Sequence, residues 1–137
     1  MKLSRLERKL IEEYWKDIDY YRKKRDFRFW EITEQKEVDT NVGGGKSSGI
    51  SDTTSRKAML LVEDGTYQHY KKIVDAIEGT YDEINDDLKE IVHTRFWDKE
   101  DYLEWDEMSE FLGISRRTLF RRRRVLIDKT AKRLGWL

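Results

Sequence analysis

The sequence predicts an all-α fold on three observations. Apolar residues recur at three- and four-residue steps in several segments, which is the period of one helix face. The 137-residue chain contains no proline, the residue that most strongly interrupts helices. No segment shows the two-residue alternation that is typical of a half-buried strand. The length suits one domain with a modest core.

The first predicted helix runs from about Leu3 to Arg25, and its other face is charged. Its apolar stripe consists of Leu3, Leu6, Leu10, Tyr14, Ile18 and Tyr21. We expect this stripe to pack within the domain or against a second copy of the chain, which would give a homodimer. A cluster of bulky residues follows at positions 27–32 and has no predicted secondary structure.

A change of composition marks residues 39–55 as a linker. Gly, Ser, Thr, Asn and Asp dominate this segment, and the apolar spacing disappears. The linker would join an N-terminal helical segment, residues 1–38, to a helical domain, residues 56–137.

The linker contains the segment Gly43–Ser48 (GGGKSS), whose ending is that of a phosphate-binding loop. Such a loop also needs a further glycine, which this chain replaces by Thr40, and it needs a buried strand before it and a helix after it. Residues 34–39 are too charged for a buried strand, and residues 47–49 discourage a helix. We therefore interpret the segment as a flexible joint.

Two more helices are predicted before the C-terminal region. The second helix begins near residues 53–55, is weakened at Gly65 and ends at Gly79. Thr80 and Glu83 then have the spacing of a capping box, which would start the third helix. The apolar residues of these helices are Ala58, Leu61, Val62, Ile73, Val74 and Ile77, followed by Tyr81, Ile84, Leu88, Ile91, Val92 and Phe96.

Residues 105–134 have the pattern of a helix-turn-helix. The first helix, about Trp105–Leu112, carries the small Ser109 where a partner helix would cross it closely. Gly113 tolerates the positive φ that the turn needs, and Ser115 is a good N-cap for the second helix. The predicted inward residues of the second helix are Leu119, Leu126, Ile127 and Leu134.

Charge is unevenly distributed along a chain whose net charge is zero. Residues 78–110 contain 13 acidic and 3 basic residues, whereas residues 116–133 contain 9 basic residues and one acid. A basic helix after such a turn favours double-stranded DNA as the partner, since arginine can bind guanine edges and phosphates in the major groove. Arg122 departs from the pattern, because its position is usually apolar. The predicted DNA-binding residues are Ser115, Arg116, Arg117, Thr118, Phe120, Arg121, Arg123 and Arg124.

The sequence predicts no enzymatic activity, no cofactor and no metal site. His69 and His93 lack partners at the spacing of metal ligands or of a catalytic triad. The chain has no cysteine, which fits a reducing cytoplasm. The N-terminus lacks the apolar core of a signal peptide, and no apolar run approaches the roughly 20 residues that span a bilayer. We therefore expect a cytoplasmic protein that binds no membrane.

Three stretches of the chain resemble the RinA-type late transcriptional activators of phages of Gram-positive bacteria, which are close to the ArpU-type regulators. They are residues 39–44 (DTNVGG), residues 53–58 (TTSRKA) and residues 114–118 (ISRRT), the last of which leads into a basic helix. The C-terminal part also resembles region 4 of bacterial sigma factors, where a similar helix pair reads a promoter and touches RNA polymerase.

This resemblance implies a phage-encoded activator that acts in the bacterial cytoplasm. It would bind promoter DNA upstream of packaging and structural genes and recruit the host RNA polymerase. By position, the residues that would inherit base and phosphate contacts are Arg116, Arg117, Phe120, Arg121 and Arg124.

Two other functions stay open on the sequence. A phage terminase small subunit also carries a small helix-turn-helix, but it forms rings and marks DNA for packaging. A helical scaffold would dimerise through residues 3–21 and bind any polyanion through its basic end. RNA binding is disfavoured, because no stacking motif is present.

Overall fold

A computed structural model of the chain describes residues 2–34, 49–98 and 103–137. These residues form seven α-helices and one π-helical turn and contain no strand, so the predicted all-α fold is confirmed. The α-helices are α1 Arg5–Lys16, α2 Ile18–Thr33, α3 Gly49–Glu63, α4 Gly65–Glu83, α5 Asp86–Val92, α6 Trp105–Leu112 and α7 Arg116–Leu134, and the π-helical turn His93–Trp97 follows α5. None of these described helices combines the length and apolarity needed to cross a membrane.

Contacts between helices group the chain into two compact units. Unit 1 comprises Met1–Ile18 and Ile73–Leu137, and unit 2 comprises Asp19–Lys72. Helix α1 therefore packs with helices from the C-terminal half of the chain. The grouping does not test the three segments proposed from composition, which stay a prediction.

The structure divides the predicted first helix into α1 and α2. Ser4 and Glu7 form a capping box at the start of α1, since the Ser4 hydroxyl accepts a hydrogen bond from the Glu7 amide at 3.0 Å and the Glu7 carboxylate accepts one from the Ser4 amide at 2.8 Å. Asp17 leaves the helical conformation, with φ −104° and ψ 29°, and ends α1. The bulky residues 27–32 lie in α2.

The buried face of α1 differs from the predicted stripe. Leu6 and Leu10 are 75% and 39% exposed, whereas Ile11 and Trp15 are completely buried. The stripe residues that are buried are Leu3, Tyr14 and Ile18. The inward face is therefore turned toward Ile11 and Trp15, and Leu6 and Leu10 lie on the surface. A homodimer through this helix stays a prediction.

Helix α3 begins at Gly49, before the predicted start near residues 53–55. Residues 39–48 of the predicted linker, including the segment Gly43–Ser48, lie outside the described residues. The predicted weakness at Gly65 coincides with a real boundary. Asp64 separates α3 from α4, and its carboxylate accepts a hydrogen bond from the Tyr67 amide at 2.7 Å, as an N-cap does.

The predicted helix end at Gly79 and capping box at Thr80 are wrong. Helix α4 continues to Glu83, and Thr80 is completely buried inside it. Gly79 lies against α7 instead, where a Cβ would be 2.5 Å from the Arg133 guanidinium. The next helix, α5, is capped by Asn85, whose side chain accepts a hydrogen bond from the Leu88 amide at 3.0 Å.

Trp15 fixes α1 in the core of unit 1. Its Nε1 donates a hydrogen bond to Thr130 Oγ1 of α7 at 3.0 Å, and its backbone oxygen accepts one from Trp97 Nε1 at 2.9 Å. Its ring lies 6.4 Å from that of Phe96, nearly parallel to it. Helix α1 is thus joined to both α7 and the π-helical turn, which places its polar residues beside α7.

Unit 2 contains an arginine–carboxylate pair. Arg28 of α2 donates to both oxygens of Asp64, from Nε at 2.9 Å and from Nη2 at 2.6 Å. The hydrogen bonds from Arg28 and from the Tyr67 amide lower the pKa of Asp64 from 3.8 to about 2. The pair links α2 to the boundary between α3 and α4.

Candidate nucleic-acid interface

The turn between α6 and α7 has the predicted geometry. Gly113 ends α6 with φ +70°, and the Ile114 amide donates to the Ser109 carbonyl at 3.0 Å, which is the bonding of a glycine C-cap. Ser115 begins α7, and its hydroxyl accepts a hydrogen bond from the Thr118 amide at 3.1 Å. The roles of Gly113 and Ser115 are confirmed. The reading of this helix pair as a DNA-binding helix-turn-helix stays a prediction.

The inward side of α7 holds it in the core of unit 1. Leu119 and Leu126 are completely buried, as is Met108 of α6. All four residues predicted to face inward are buried, namely Leu119, Leu126, Ile127 and Leu134. One side of α7 is thereby fixed, and the opposite side is available to solvent.

Three arginines occupy the solvent side of α7. Arg117, Arg121 and Arg124 are exposed and, at 3.6 residues per turn, lie within about 60° of one another around the helix. Within the described part of the chain, none of them has a carboxylate partner. We call these three residues the outer arginine row.

Two other arginines of α7 are paired with acidic residues. Arg116 lies 2.9 Å from Asp106, and both side chains are mostly exposed, so this pair is weak and easily opened. Arg122 lies 3.3 Å from Asp87 of α5 and is 27% exposed. A carboxylate from α5 thus explains how an arginine occupies a position that is usually apolar.

Arg123 is half-buried and turns toward α1 and α6. Its Nε and Nη2 donate to the Glu12 carboxylate of α1 at 2.8 Å and 2.6 Å, and its guanidinium lies 4.4 Å from the centre of the Trp105 ring. Trp105 Nε1 donates to the same carboxylate at 3.1 Å. We call Glu12, Trp105 and Arg123 the Glu12 clamp. It joins α1, α6 and α7, and it uses the Arg123 side chain that was predicted to bind DNA.

The remaining predicted site residues lie beside the turn. Phe120 is half-buried, and its ring lies 6.5 Å from that of Trp105 with the guanidinium of Arg116 at 5.2 Å. The Thr118 hydroxyl accepts a hydrogen bond from Ser115 Oγ at 2.9 Å. These side chains stabilise the turn and the start of α7. Their contact with DNA stays a prediction.

Sequence reasoning missed the basic residues of α1 that lie beside α7. A cavity of about 970 Å³ lies between α1 and α7 and is lined by basic residues from both helices, including Arg5, Lys9 and Arg124. Glu12 is also in its lining. Glu7 lies among these basic residues and Glu12 and Glu13 follow them, so they form no uninterrupted charge run in the sequence.

The two histidines have aromatic neighbours. The Tyr81 hydroxyl and His93 Nε2 are 2.8 Å apart, and the His93 ring stands edge-on to Trp97 at 5.1 Å. The His69 ring lies 5.0 Å from that of Tyr70. Across residues 2–34, 49–98 and 103–137, no group of three His, Asp or Glu side chains is placed to hold a metal ion.

One family model matches almost the whole chain. The family is described as "Protein of unknown function (DUF722)", and the match covers residues 2–132. No curated protein and no solved structure matches the chain. Since the description of the family names no activity, function has to be inferred from the arrangement of the side chains.

Proposed function

We propose that the chain, which belongs to the DUF722 family, is a sequence-specific DNA-binding protein that activates transcription. The observation that carries this proposal is the outer arginine row. Three exposed arginines without carboxylate partners among the described residues share one side of a helix whose other side is fixed in the core. Three like charges on one side of a helix repel one another, and a bound anion would relieve this repulsion.

The dimensions of the row fit the major groove. From Arg117 to Arg124 the helix rises about 10 Å at 1.5 Å per residue. This is roughly the length of three stacked base pairs, and a groove about 12 Å wide admits one helix. Arg117 lies near the N-terminal end of α7, the end that approaches base edges in helix-turn-helix proteins. We assign base reading to Arg117 and phosphate or base contacts to Arg121 and Arg124.

The contacts behind α7 support this role. The Glu12 clamp joins α7 to α1, and the pair of Arg122 with Asp87 joins it to α5. A recognition helix needs such support, because base contacts lose specificity when the side chains are misplaced by about an ångström. We therefore assign Arg122 and Arg123 to the support of α7 and not to DNA contact.

The acidic block, residues 78–110, shields part of the basic charge of α7. Among the described residues of the block, Glu83 pairs with Lys129 and Arg133, Asp87 with Arg122, and Asp106 with Arg116. The pairs neutralise basic residues outside the outer arginine row, so that most of the unpaired positive charge of α7 lies on the row.

The transcriptional part of the proposal rests on the resemblance to the RinA-type activators. A protein of this kind, encoded by a phage, would bind a late promoter and recruit the host RNA polymerase. Transcription in vitro from a late promoter, with and without the protein, tests this step separately from DNA binding.

Titration of promoter DNA tests the DNA-binding step. The protein is titrated against a fragment from its own late operon and against random duplex of equal length, at two salt concentrations. We expect the ratio of the two affinities to be about 10³ or more.

Arg117→Ala should lower this ratio at least fivefold, since one bidentate arginine–guanine contact gives about 1–3 kcal/mol of discrimination. Arg133→Ala, which removes an arginine elsewhere on α7, is the control and should leave the ratio unchanged. Equal affinity of the wild-type protein for both duplexes would refute sequence reading.

A terminase small subunit is the second candidate, and exposed apolar residues of unit 2 favour it. Phe27, Phe29 and Trp30 of α2 are 58%, 44% and 57% exposed, and Met59, Leu60 and Val62 of α3 are exposed as well. Such residues suit assembly into a larger particle. Light scattering after size exclusion would show ring-sized particles in that case, and transcription in vitro would show no activation.

A further inference from the structure

We infer that helix α1 provides a second DNA contact, in which the basic cavity between α1 and α7 holds backbone phosphates next to the segment that α7 reads. The inference rests on the proposed function, because it takes double-stranded DNA as the ligand. It adds a partner site on a helix for which no pattern in the sequence predicts DNA binding.

The charge of the cavity indicates an anionic ligand. Seven basic residues and two acidic residues are in its lining. Arg5, Arg8 and Lys9 come from α1, and Lys2 lies just before this helix. Because they recur at steps of three and four residues, they share the face of α1 that borders the cavity.

One of the two acidic residues is already neutralised. Glu12 is only 13% exposed and is bound by Arg123 and by Trp105 Nε1. It therefore contributes little negative charge to the open part of the cavity. Asp128 is the second acidic residue. Because Arg123 and Glu12 neutralise each other, six basic residues and one acidic residue remain in the lining.

The basic side chains at the rim are available to a ligand. Lys2, Arg5, Lys9 and Arg124 are exposed, and within the described ranges none of them has a carboxylate partner. Arg8 donates to the Leu3 carbonyl at 3.2 Å and is exposed too. Away from the cavity, by contrast, Arg116, Arg122, Lys129 and Arg133 of α7 have acidic partners.

Arg124 connects the cavity to the proposed DNA interface. It belongs to the outer arginine row and also lines the cavity. A polyanion that lies along the row therefore reaches the cavity without leaving the protein surface. This continuity favours the sugar–phosphate backbone of the bound duplex over a free phosphate compound as the ligand.

The test compares single substitutions in α1. Arg5→Ala and Lys9→Ala each remove one basic side chain of the cavity, and both place a good helix former at an exposed position. Lys16→Ala is the control, since Lys16 is an exposed lysine of the same helix that does not line the cavity. Affinity for promoter and for random duplex is measured at several salt concentrations, and circular dichroism checks the fold of each variant.

We expect Arg5→Ala and Lys9→Ala to weaken binding to both duplexes by the same factor and to reduce the slope of log K against log salt by about 0.9. The specificity ratio should not change. The fall in affinity between 50 and 200 mM salt should then be about 3.5-fold smaller than in the wild-type protein. Lys16→Ala should leave both the slope and the ratio unchanged.

Unchanged slopes in Arg5→Ala and Lys9→Ala, together with a lowered ratio in Arg117→Ala, would overturn this inference and leave the proposed function intact. Equal wild-type affinity for both duplexes, with reduced slopes in the α1 variants, would overturn the proposed function and keep the phosphate contact. A calorimetric titration with sodium triphosphate covers a free phosphate ligand. Binding of triphosphate that is lost in Lys9→Ala, with unchanged duplex slopes, would overturn the assignment to DNA.

Discussion

Replacement of Glu12 by alanine should destabilise unit 1 by removing the acceptor of the Glu12 clamp. The carboxylate accepts hydrogen bonds from Trp105 Nε1 at 3.1 Å and from Arg123 Nε and Nη2 at 2.8 Å and 2.6 Å. In Glu12→Ala the indole N–H and the guanidinium lose this acceptor. Leaving a half-buried donor or charge without a partner is more costly than losing an exposed ion pair.

The burial of the pair sets the size of the effect. Breaking a fully buried ion pair costs about 3–5 kcal/mol, and an exposed pair is worth about 1 kcal/mol or less. Glu12 is 13% exposed and Arg123 is 30% exposed, so water can still reach part of the guanidinium. We therefore expect a loss of about 2 kcal/mol in the free energy of unfolding. For a chain of this length this corresponds to a fall in Tm of about 6–10 °C.

Thermal and urea unfolding, followed by circular dichroism, measure this loss. Glu13→Ala is the control, because Glu13 is an exposed neighbour on α1 whose side chain has no bonding partner among the described residues. A double-mutant cycle with Arg123→Ala isolates the coupling between Glu12 and Arg123, which should exceed about 1 kcal/mol. Identical unfolding curves for Glu12→Ala and Glu13→Ala would refute the proposed role of the clamp.

Three further predictions concern single positions. Gly113→Ala should destabilise the protein by about 1 kcal/mol, because alanine is strained at φ +70°. Gly65→Ala should stabilise it by about 0.5 kcal/mol, because Gly65 lies in open space at the start of α4. Urea unfolding that gives both changes the same sign would contradict this reasoning. Thr80→Val should raise Tm, since the buried Thr80 hydroxyl has no hydrogen-bond partner among the described residues. Removing such a group is worth about 1 kcal/mol. A lower Tm would show that the hydroxyl does form a hydrogen bond in the folded protein. The pKa of Asp64 is lowered from 3.8 to about 2, so the stability that its pair with Arg28 provides should be complete above about pH 4 and decrease as the pH falls toward 2. Urea unfolding of the wild-type protein and of Asp64→Asn at several pH values measures this decrease. An equally steep decrease in Asp64→Asn would exclude Asp64 as the cause.

The geometry of the turn could be predicted from the sequence because its determinants are local. Gly113 bonds to residues of the helix that it ends, and Ser115 bonds to Thr118, three positions further on. Such short-range rules depend little on the rest of the fold. The buried side of α7 followed equally from the spacing of its apolar residues.

Long-range packing explains the predictions that were wrong. Gly79 and Thr80 have the local pattern of a helix end, but Gly79 lies against Arg133 and Thr80 is buried, so the helix continues. The Glu12 clamp is of the same kind. Glu12 is 93 positions from Trp105 and 111 positions from Arg123 along the chain, and no sequence spacing indicates that they meet.

The run of four arginines, residues 121–124, shows why a count of charges is a poor guide to a binding surface. Successive residues of a helix are about 100° apart, so the four side chains point in different directions. Arg121 and Arg124 face solvent, Arg122 turns to Asp87 of α5, and Arg123 turns to Glu12 of α1. Two of the four therefore stabilise the fold, whatever the protein binds.

Replacing the whole run by alanine would weaken DNA binding even if no arginine touched DNA, because α7 would lose its attachments to α1 and α5. Paired substitutions separate the two roles. The double variant Arg121→Ala/Arg124→Ala should lower DNA affinity and leave Tm unchanged. The double variant Arg122→Ala/Arg123→Ala should lower Tm.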